Sequence, residues 1–530
     1  MNLREIFLGN EKSFNRKVAI FHAVILFAAV AFLYMFSYST SPRYFFIAND
    51  SAIFQVVGKC WAQGLLPYVG AFENKGPLLF AIDAIGYLIY PRYGIFPLQV
   101  PFMYFSMLFT WRAVELFWSQ SATIKIFLFT IFLHALYFFE GNRTEEYSLP
   151  FLLAAGYFFL HWLRDEKNFC PPSLGFIYGF GFGACVLLRT TNGLPICCYV
   201  LLTTFVLIRA GAFKNIWQNF LSFCAGFAAI CLPFVIYFAA YGALYDMIYG
   251  TILINVKHAT GFDTSTADYL DYMIPYAVKY FQPLFWLVGV SIFALVLDRK
   301  NFLVWSGLVT GAAMLFLLIK SRPFPGYLEL IVSVLPIFFA VVHKLKTILS
   351  PLIKKTFFRL TYKFLFIIFL SGVGLQVALL YQYFTGLNRA ETVVAFKSAQ
   401  SSLHDFQATI PADEKNSVAC WGESLVTSLF LLEADIVPRC RFFGNVNSFF
   451  GKSDPGVIAE WVQTVRNDSP KWILYSVLRE ELSGEEPTYF DNEFRRQCNP
   501  DVEKVLDEKY FLVNEMPFYS QMLRLYRLKE

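Results

Sequence analysis

The chain has 530 residues, 57% of them hydrophobic and only 16% charged, with 61 phenylalanines and a formal net charge of +5; its mean hydropathy is +0.49. A soluble chain is about one quarter charged, and so many large apolar side chains cannot all hide in one aqueous core. The composition excludes a soluble enzyme, a disordered chain and a nucleic-acid binder, and predicts a polytopic membrane protein.

The first apolar run able to cross about 30 Å of hydrocarbon is Val18–Phe36. Arg4, Lys12, Arg16 and Lys17 precede it and no small-residue cleavage site follows, so an uncleaved anchor is expected. Further spans are expected over 97–118, 123–139, 147–163, 173–188, 194–208, 216–240, 277–297, 302–319, 327–343 and 361–384, eleven in all. Pro77–Tyr90 (PLLFAIDAIGYLIY) reaches only about 21 Å as a helix and contains Asp83. If it crossed, the basic loops after it, including Lys344, Lys346, Lys354, Lys355, Arg359 and Lys363, would lie outside, against the positive-inside rule. It is therefore expected to lie at the membrane surface as an interfacial helix. The N-terminus is then cytoplasmic, while the first loop, 37–96, and the tail, 385–530, are extracytoplasmic.

In the tail, charges return and the apolar runs shorten. Ser417–Trp421, Lys471–Ser476 and Leu523–Leu528 read as strands, Ser424–Glu433 and Asp454–Val465 as helices, giving a soluble α/β domain. The ten cysteines form no CxxC or Cys/His metal spacing. Cys420 and Cys440 have the opportunity to pair in an oxidising compartment, which spacing alone does not decide.

Ionisable residues near a bilayer need partners or work. Three clusters fall on the expected outer side: Asn49-Asp50-Ser51, Glu73-Asn74-Lys75-Gly76-Pro77, and Glu140-Gly141-Asn142-Arg143-Thr144-Glu145-Glu146. Arg189, Lys257, His258, Lys320 and Arg322 lie at the outer ends of later spans. Each has an ordinary alternative: Asp50, Glu145 and Glu146 as helix-start acids, Lys75, Arg189 and Arg322 as interfacial anchors. Their coincidence on one side favours a site.

The order of these elements resembles the GT-C superfold of integral membrane glycosyltransferases. It is most similar to the bacterial branch with protein mannosyltransferases and the lipid A aminoarabinose transferase. The likeness rests on Asn49-Asp50-Ser51 after the first span, Gly64-Leu65-Leu66-Pro67-Tyr68, Phe72-Glu73-Asn74-Lys75-Gly76-Pro77-Leu78-Leu79 and Gly141-Asn142-Arg143-Thr144-Glu145-Glu146-Tyr147. Val418–Gly422 and Ser469–Tyr475 are similar to the family's α/β cap. Three positions depart from the pattern: Ser51 stands where many members have a second acid, Gly76 replaces a proline, and Glu145-Glu146 replaces a single Asp.

The resemblance implies a polytopic α-helical, GT-C-like membrane domain over 1–384, with juxtamembrane helices in its first outer loop, and an extracytoplasmic α/β domain over 385–530. It implies transfer of a sugar from a polyprenyl-phosphate donor to an acceptor hydroxyl on a glycan, lipid or protein, in a bacterial cytoplasmic membrane. Asp50 is the expected general base, with Glu145 or Glu146 assisting. Lys75, Arg189 and Arg322 are expected at the donor phosphate, and Asn49, Glu73, Asn142, Arg143, His258 and Tyr327 near the sugar or acceptor. No cofactor is required; a divalent cation, if used, would fall to Asp50 with Glu145 or Glu146. The rivals are a lipid-linked oligosaccharide polymerase or ligase, with its catalytic loop late in the chain, and a saccharide-lipid transporter, with charges at span centres and repeated halves. A non-catalytic scaffold gives no reason for the charges to cluster.

Overall fold

The computed structural model describes residues 3–9, 13–44, 49–165, 169–260, 266–321, 324–351, 374, 377–378, 400–480, 497–518 and 520–530. The chain forms two compact units. One comprises Met1–Ser37, Pro97–Phe234 and Thr264–Gly386, the other Tyr38–Phe96, Val235–Asp263 and Leu387–Glu530. The expected domain boundary at 384/385 and, apart from 374 and 377–378, the span over 361–384 lie outside the described residues.

The first unit is helical. Arg16–Phe36 starts where the Asn15 side chain accepts from the Val18 N–H at 3.1 Å, and Phe302–Lys320 where Asn301 does the same for Val304 at 3.3 Å. Among the described residues six helical segments are long and apolar enough to cross a membrane, up to seven with one bent pair. Phe213–Ala240 is the most outward-facing, with only 17% of its most apolar stretch buried and Trp217, Phe220, Leu221 and Ile236 exposed. Such a surface suits lipid and not water. Helices Ile95–Glu115, Thr144–Asp165 and Pro172–Leu188 cover three further expected spans. Gly175, Gly179 and Gly183 line one face of Pro172–Leu188, and a Cβ at Gly179 would strike the Phe223 carbonyl. Removing side chains lets the two backbones touch where no hydrophobic effect drives helices together.

Two expected spans are irregular. The run 277–297 is bent by 75° between Met273–Tyr280 and Gln282–Leu297. Pro283 cannot donate to the Lys279 carbonyl, and Phe281 leaves the helical conformation to cap the second helix, where a proline in the first turn needs no donor. The run 327–343 opens as a 3-10 helix, Pro325–Val334, and becomes α-helical only over Leu335–Leu349, where Pro336 needs no donor in the first turn.

In the second unit, helices Asn49–Ala62 and Pro77–Ile89 cross at Gly58, where a Cβ would meet Asp83. Pro77–Ile89 buries Leu79, Phe80, Ile82 and Asp83 and exposes Ile85, Leu88 and Ile89. That second apolar stripe, at i, i+3 and i+4, is the face an interfacial helix needs.

The tail forms a four-stranded sheet in the order β1-β2-β4-β3, from β1 (Val418–Trp421), β2 (Trp472–Leu478), β3 (Tyr510–Phe518) and β4 (Gln521–Leu528). β1 and β2 are parallel, with helices Ser424–Glu433 and Gly456–Asp468 in the connection, and β2, β4 and β3 pair antiparallel. Trp421 and Trp461 pack edge-on at 4.8 Å, and the Trp461 indole donates to the Cys420 carbonyl at 3.0 Å. Cys420 and Cys440 are buried free thiols, so the pairing left open by their spacing is not made. Arg441 joins parts of the unit that are far apart in sequence, donating to the Tyr68 carbonyl at 2.9 Å, Asp246 at 3.0 Å and both Glu460 oxygens at 2.5 and 2.7 Å.

Asp454 anchors the segment 244–260, accepting from Tyr249 at 2.7 Å and Lys257 at 2.5 Å. Burial alone would raise its carboxyl pKa, but the bonds from Lys257, Tyr249 and the Gly456 N–H outweigh it and hold it below the usual 3.8. A depressed carboxyl contributes stability that is complete above its unfolded pKa and lost as pH falls through the folded one. Pepsin cleavage within 244–260, normalised to an unstructured peptide, is therefore expected to accelerate once pH drops below about 4. In Asp454→Asn that acceleration should vanish; if it persists, the anchor lies elsewhere.

Candidate functional site

The expected site residues fall into two clusters, one in each unit. In the second unit Asp50 sits in the first turn of Asn49–Ala62, half-buried, with Phe54 one turn on along the same face. The Lys75 ammonium lies 5.8 Å from the Phe54 ring centre, 3.3 Å from a Glu73 oxygen and 2.7 Å from the Asn74 side-chain oxygen. Burial pushes the Glu73 carboxyl above its usual range; Lys75 draws it back and the Asp50 carboxylate adds to the rise. Asp50, Glu73 and Lys75 thus share one electrostatic neighbourhood.

The backbone around Lys75 is fixed from two sides. Tyr68, in a left-handed conformation (φ 69°), donates its hydroxyl to the Lys75 carbonyl at 2.7 Å and accepts from Thr251 at 3.2 Å. Gly250 leaves room for the Tyr68 ring where a Cβ would collide. Asn74 and Asn255 exchange hydrogen bonds, Asn74 to the Asn255 side chain at 2.8 Å and Asn255 to the Asn74 carbonyl at 2.9 Å. Gly250 and Thr251 belong to a π-helical turn, Tyr249–Leu253, and Asn255 follows it; such turns recur at functional sites. The side chains of Asn49 and His258 and all of Arg322 lie outside the described residues.

The second cluster, in the first unit, is built on a sharp turn. Glu140, Gly141 and Asn142 are successively left-handed (φ 71°, 79° and 59°). The turn folds the Asn142 N–H onto Glu146 at 2.8 Å, and Gln99 donates to both Glu146 oxygens at 2.8 and 2.9 Å. Glu145 accepts from Arg189 at 2.9 Å, with the Arg143 guanidinium 3.6 Å away. Arg189 lies 3.8 Å from the Tyr327 ring centre. Gly141 abuts the Ser37 side chain, leaving no space for a Cβ. Gly141→Ala combines that collision with a strained φ and is expected to destabilise the protein by about 1–3 kcal/mol. A melting curve in detergent unchanged by the substitution would contradict this.

These carboxylates do not fit a divalent cation. Glu145 already faces two guanidinium groups, and among the described residues no three His, Cys, Asp or Glu side chains group around one point. Sequence reasoning did not single out Gln99, nor His134 and Glu329, buried and hydrogen-bonded at 2.9 Å. Their signal was present: each is a polar residue within an apolar run, as in YLELIV and FLHALY.

Apolar helices with outward-facing side chains, a helical pair crossing at a glycine and a small C-terminal sheet define a polytopic, integral membrane protein. The particular architecture is that of the GT-C fold: the chain is similar to ArnT from Cupriavidus metallidurans bound to undecaprenyl phosphate, with a TM-score of 0.57, 12% identity, and 96% of this chain and 98% of that one covered. A weaker likeness, TM-score 0.48 at 12% identity over 87% of this chain and 70% of the other, is to the archaeal oligosaccharyltransferase AglB from Archaeoglobus fulgidus in complex with an inhibitory peptide and a dolichol-phosphate. No family profile matches the sequence, and no curated protein matches it by sequence.

Proposed function

We propose that the protein is a glycosyltransferase that moves a sugar from a polyprenyl-phosphate donor to an acceptor hydroxyl at the outer face of a bacterial cytoplasmic membrane. The observation that carries this reading is the gathering of Asp50, Glu73 and Lys75, a carboxylate and an ammonium fixed by Asn74, Tyr68 and Asn255. The fold shared with a protein crystallised with undecaprenyl phosphate supports a lipid-linked donor.

An alcohol does not ionise at neutral pH, so a positioned carboxylate must take its proton as it attacks. In the proposed reaction Asp50 accepts that proton while the acceptor oxygen bonds to the anomeric carbon. The bond from that carbon to the phosphate oxygen breaks, and its electron pair leaves with the polyprenyl phosphate. Lys75 meets the charge growing on that oxygen, which stabilises the transition state more than the ground state. Glu73 positions Lys75. Arg189 and Arg322 are further candidates for the phosphate. We assign Glu145 and Glu146, both engaged by donors, to holding Arg189 and the 140–143 turn. Asn142, Arg143, Tyr327, Asn49 and His258 are proposed for sugar or acceptor recognition. The distribution of Lys and Arg supports an extracytoplasmic tail.

The test is transfer in proteoliposomes supplied with a panel of polyprenyl-phosphate sugars and a membrane extract as acceptor. Release of polyprenyl phosphate with label entering an acceptor is the expected result. Donor crossing the bilayer unchanged would make the protein a transporter; growth of a lipid-linked chain on its own donor would make it a polymerase.

A further inference from the structure

The second unit carries a partly open pocket of about 330 Å³ that no step above uses. Its walls are Gln55 and Lys59, one turn apart on Asn49–Ala62, Asp83 and Tyr87, one turn apart on Pro77–Ile89, then Arg92 and the end of helix Ser424–Glu433. Lys59 fixes one wall. Its buried ammonium donates to the Leu431 and Ile436 carbonyls at 2.9 and 2.8 Å and lies 3.3 Å from Asp435. With all three donors used, it closes the C-terminus of that helix and leaves ligand recognition to its neighbours.

Arg92 is the unusual wall. It is left-handed (φ 72°), a conformation that costs energy for any residue but glycine and gathers at functional positions. Its guanidinium stacks 5.1 Å from the Tyr93 ring centre and stands 3.9 Å from Glu433. Its Nε and Nη2 are withdrawn from solvent with no hydrogen-bond partner among the described residues. These two donors share one edge of the planar group, the edge that takes two acceptors side by side.

The pocket's charge selects the ligand. Asp83 is almost fully buried, and Glu433 and Asp435 add two more acids against only Lys59 and Arg92. An anion such as phosphate would meet this excess of carboxylates. A neutral ligand with adjacent hydroxyls offers paired acceptors to Arg92 and donors to Asp83 and Gln55. The volume is near the lower end of ligand sites, about 300–1,000 Å³, and the lining sets Asp83, Arg92 and Gln55 beside apolar Pro91, Ile95 and Leu432, a mixture that suits a sugar ring, with hydroxyls on its rim and C–H groups on its faces. The geometry points to a saccharide-binding pocket that takes one neutral sugar ring, free or as part of a larger glycan. It is independent of sugar transfer, since binding is measured without turnover.

The experiment is saturation-transfer NMR on the full chain in lipid nanodiscs, free of sugar detergents. The probes are methyl glycosides of glucose, galactose, mannose and N-acetylglucosamine, with inorganic phosphate as competitor. At least one glycoside is expected to bind, with phosphate failing to displace it. Asp83→Asn and Arg92→Gln should each weaken binding about ten-fold or more, as loss of a charged hydrogen bond does. Asp50→Asn should leave binding intact, so loss of transfer and loss of this pocket are read separately. If a variant does not fold, hydrogen exchange of the wild type decides: the glycoside must protect 83–95 and 431–436. No binding by any glycoside, displacement by phosphate, binding that survives both substitutions, or protection elsewhere overturns the assignment.

Discussion

Asp50→Asn is expected to slow sugar transfer by about 10²–10⁴-fold while the donor KM stays within a few-fold. The amide has nearly the carboxylate's shape but cannot take the acceptor's proton, so its loss falls on the chemical step. The side chain sits in the first turn of its helix, where a carboxylate also favours the helix N-terminus. That second role predicts a different outcome: a lower melting temperature with turnover nearly unchanged. The two are separated by measuring rate and thermal stability on one preparation. A variant turning over within a few-fold of wild type would end Asp50's part in the mechanism, whatever its effect on melting.

Much of this architecture was legible because hydrocarbon imposes simple rules. Helix Ser424–Glu433 was read with its observed ends, and the apolar runs gave Pro172–Leu188 and Leu194–Arg209 to within a residue at either end. What failed was local. β3 was missed because Tyr510–Phe518 does not alternate: it contains Asn514, Glu515 and Pro517, and a bulge between Leu512 and Asn514 shifts its pairing to β4. The bend at Phe281 was hidden inside a continuous apolar run. In the candidate site, Asp50, Glu73 and Lys75 announced themselves as charges at the ends of apolar runs. The contact of Asn255 with Asn74 depends on backbone geometry after a π-helical turn, and no spacing rule reports it. Lys59 looked like an ordinary helical lysine; only the fold shows its ammonium closing another helix.

Lys75→Ala is the second large effect, an expected loss of about 10²–10³-fold in kcat from removing a preorganised cation beside the leaving oxygen. The structure also offers a purely structural role, since the ammonium lies 3.3 Å from the buried Glu73 carboxyl and removing it strips that acid of its counter-ion. Glu73→Gln separates the two. If Lys75 serves only Glu73, the double variant Lys75→Ala/Glu73→Gln has no uncompensated charge and should recover most of the wild-type rate. If Lys75 serves the phosphate, the double variant stays as slow as Lys75→Ala. Product inhibition gives an independent reading, because polyprenyl phosphate carries the charge that Lys75 is proposed to meet. Its inhibition constant should rise about ten-fold or more in Lys75→Ala, the loss of a charge-assisted contact in a site of low dielectric. It should rise much less in Asp50→Asn, which leaves the ammonium in place. An inhibition constant unchanged by Lys75→Ala would remove the lysine from the phosphate and leave it as the partner of Glu73.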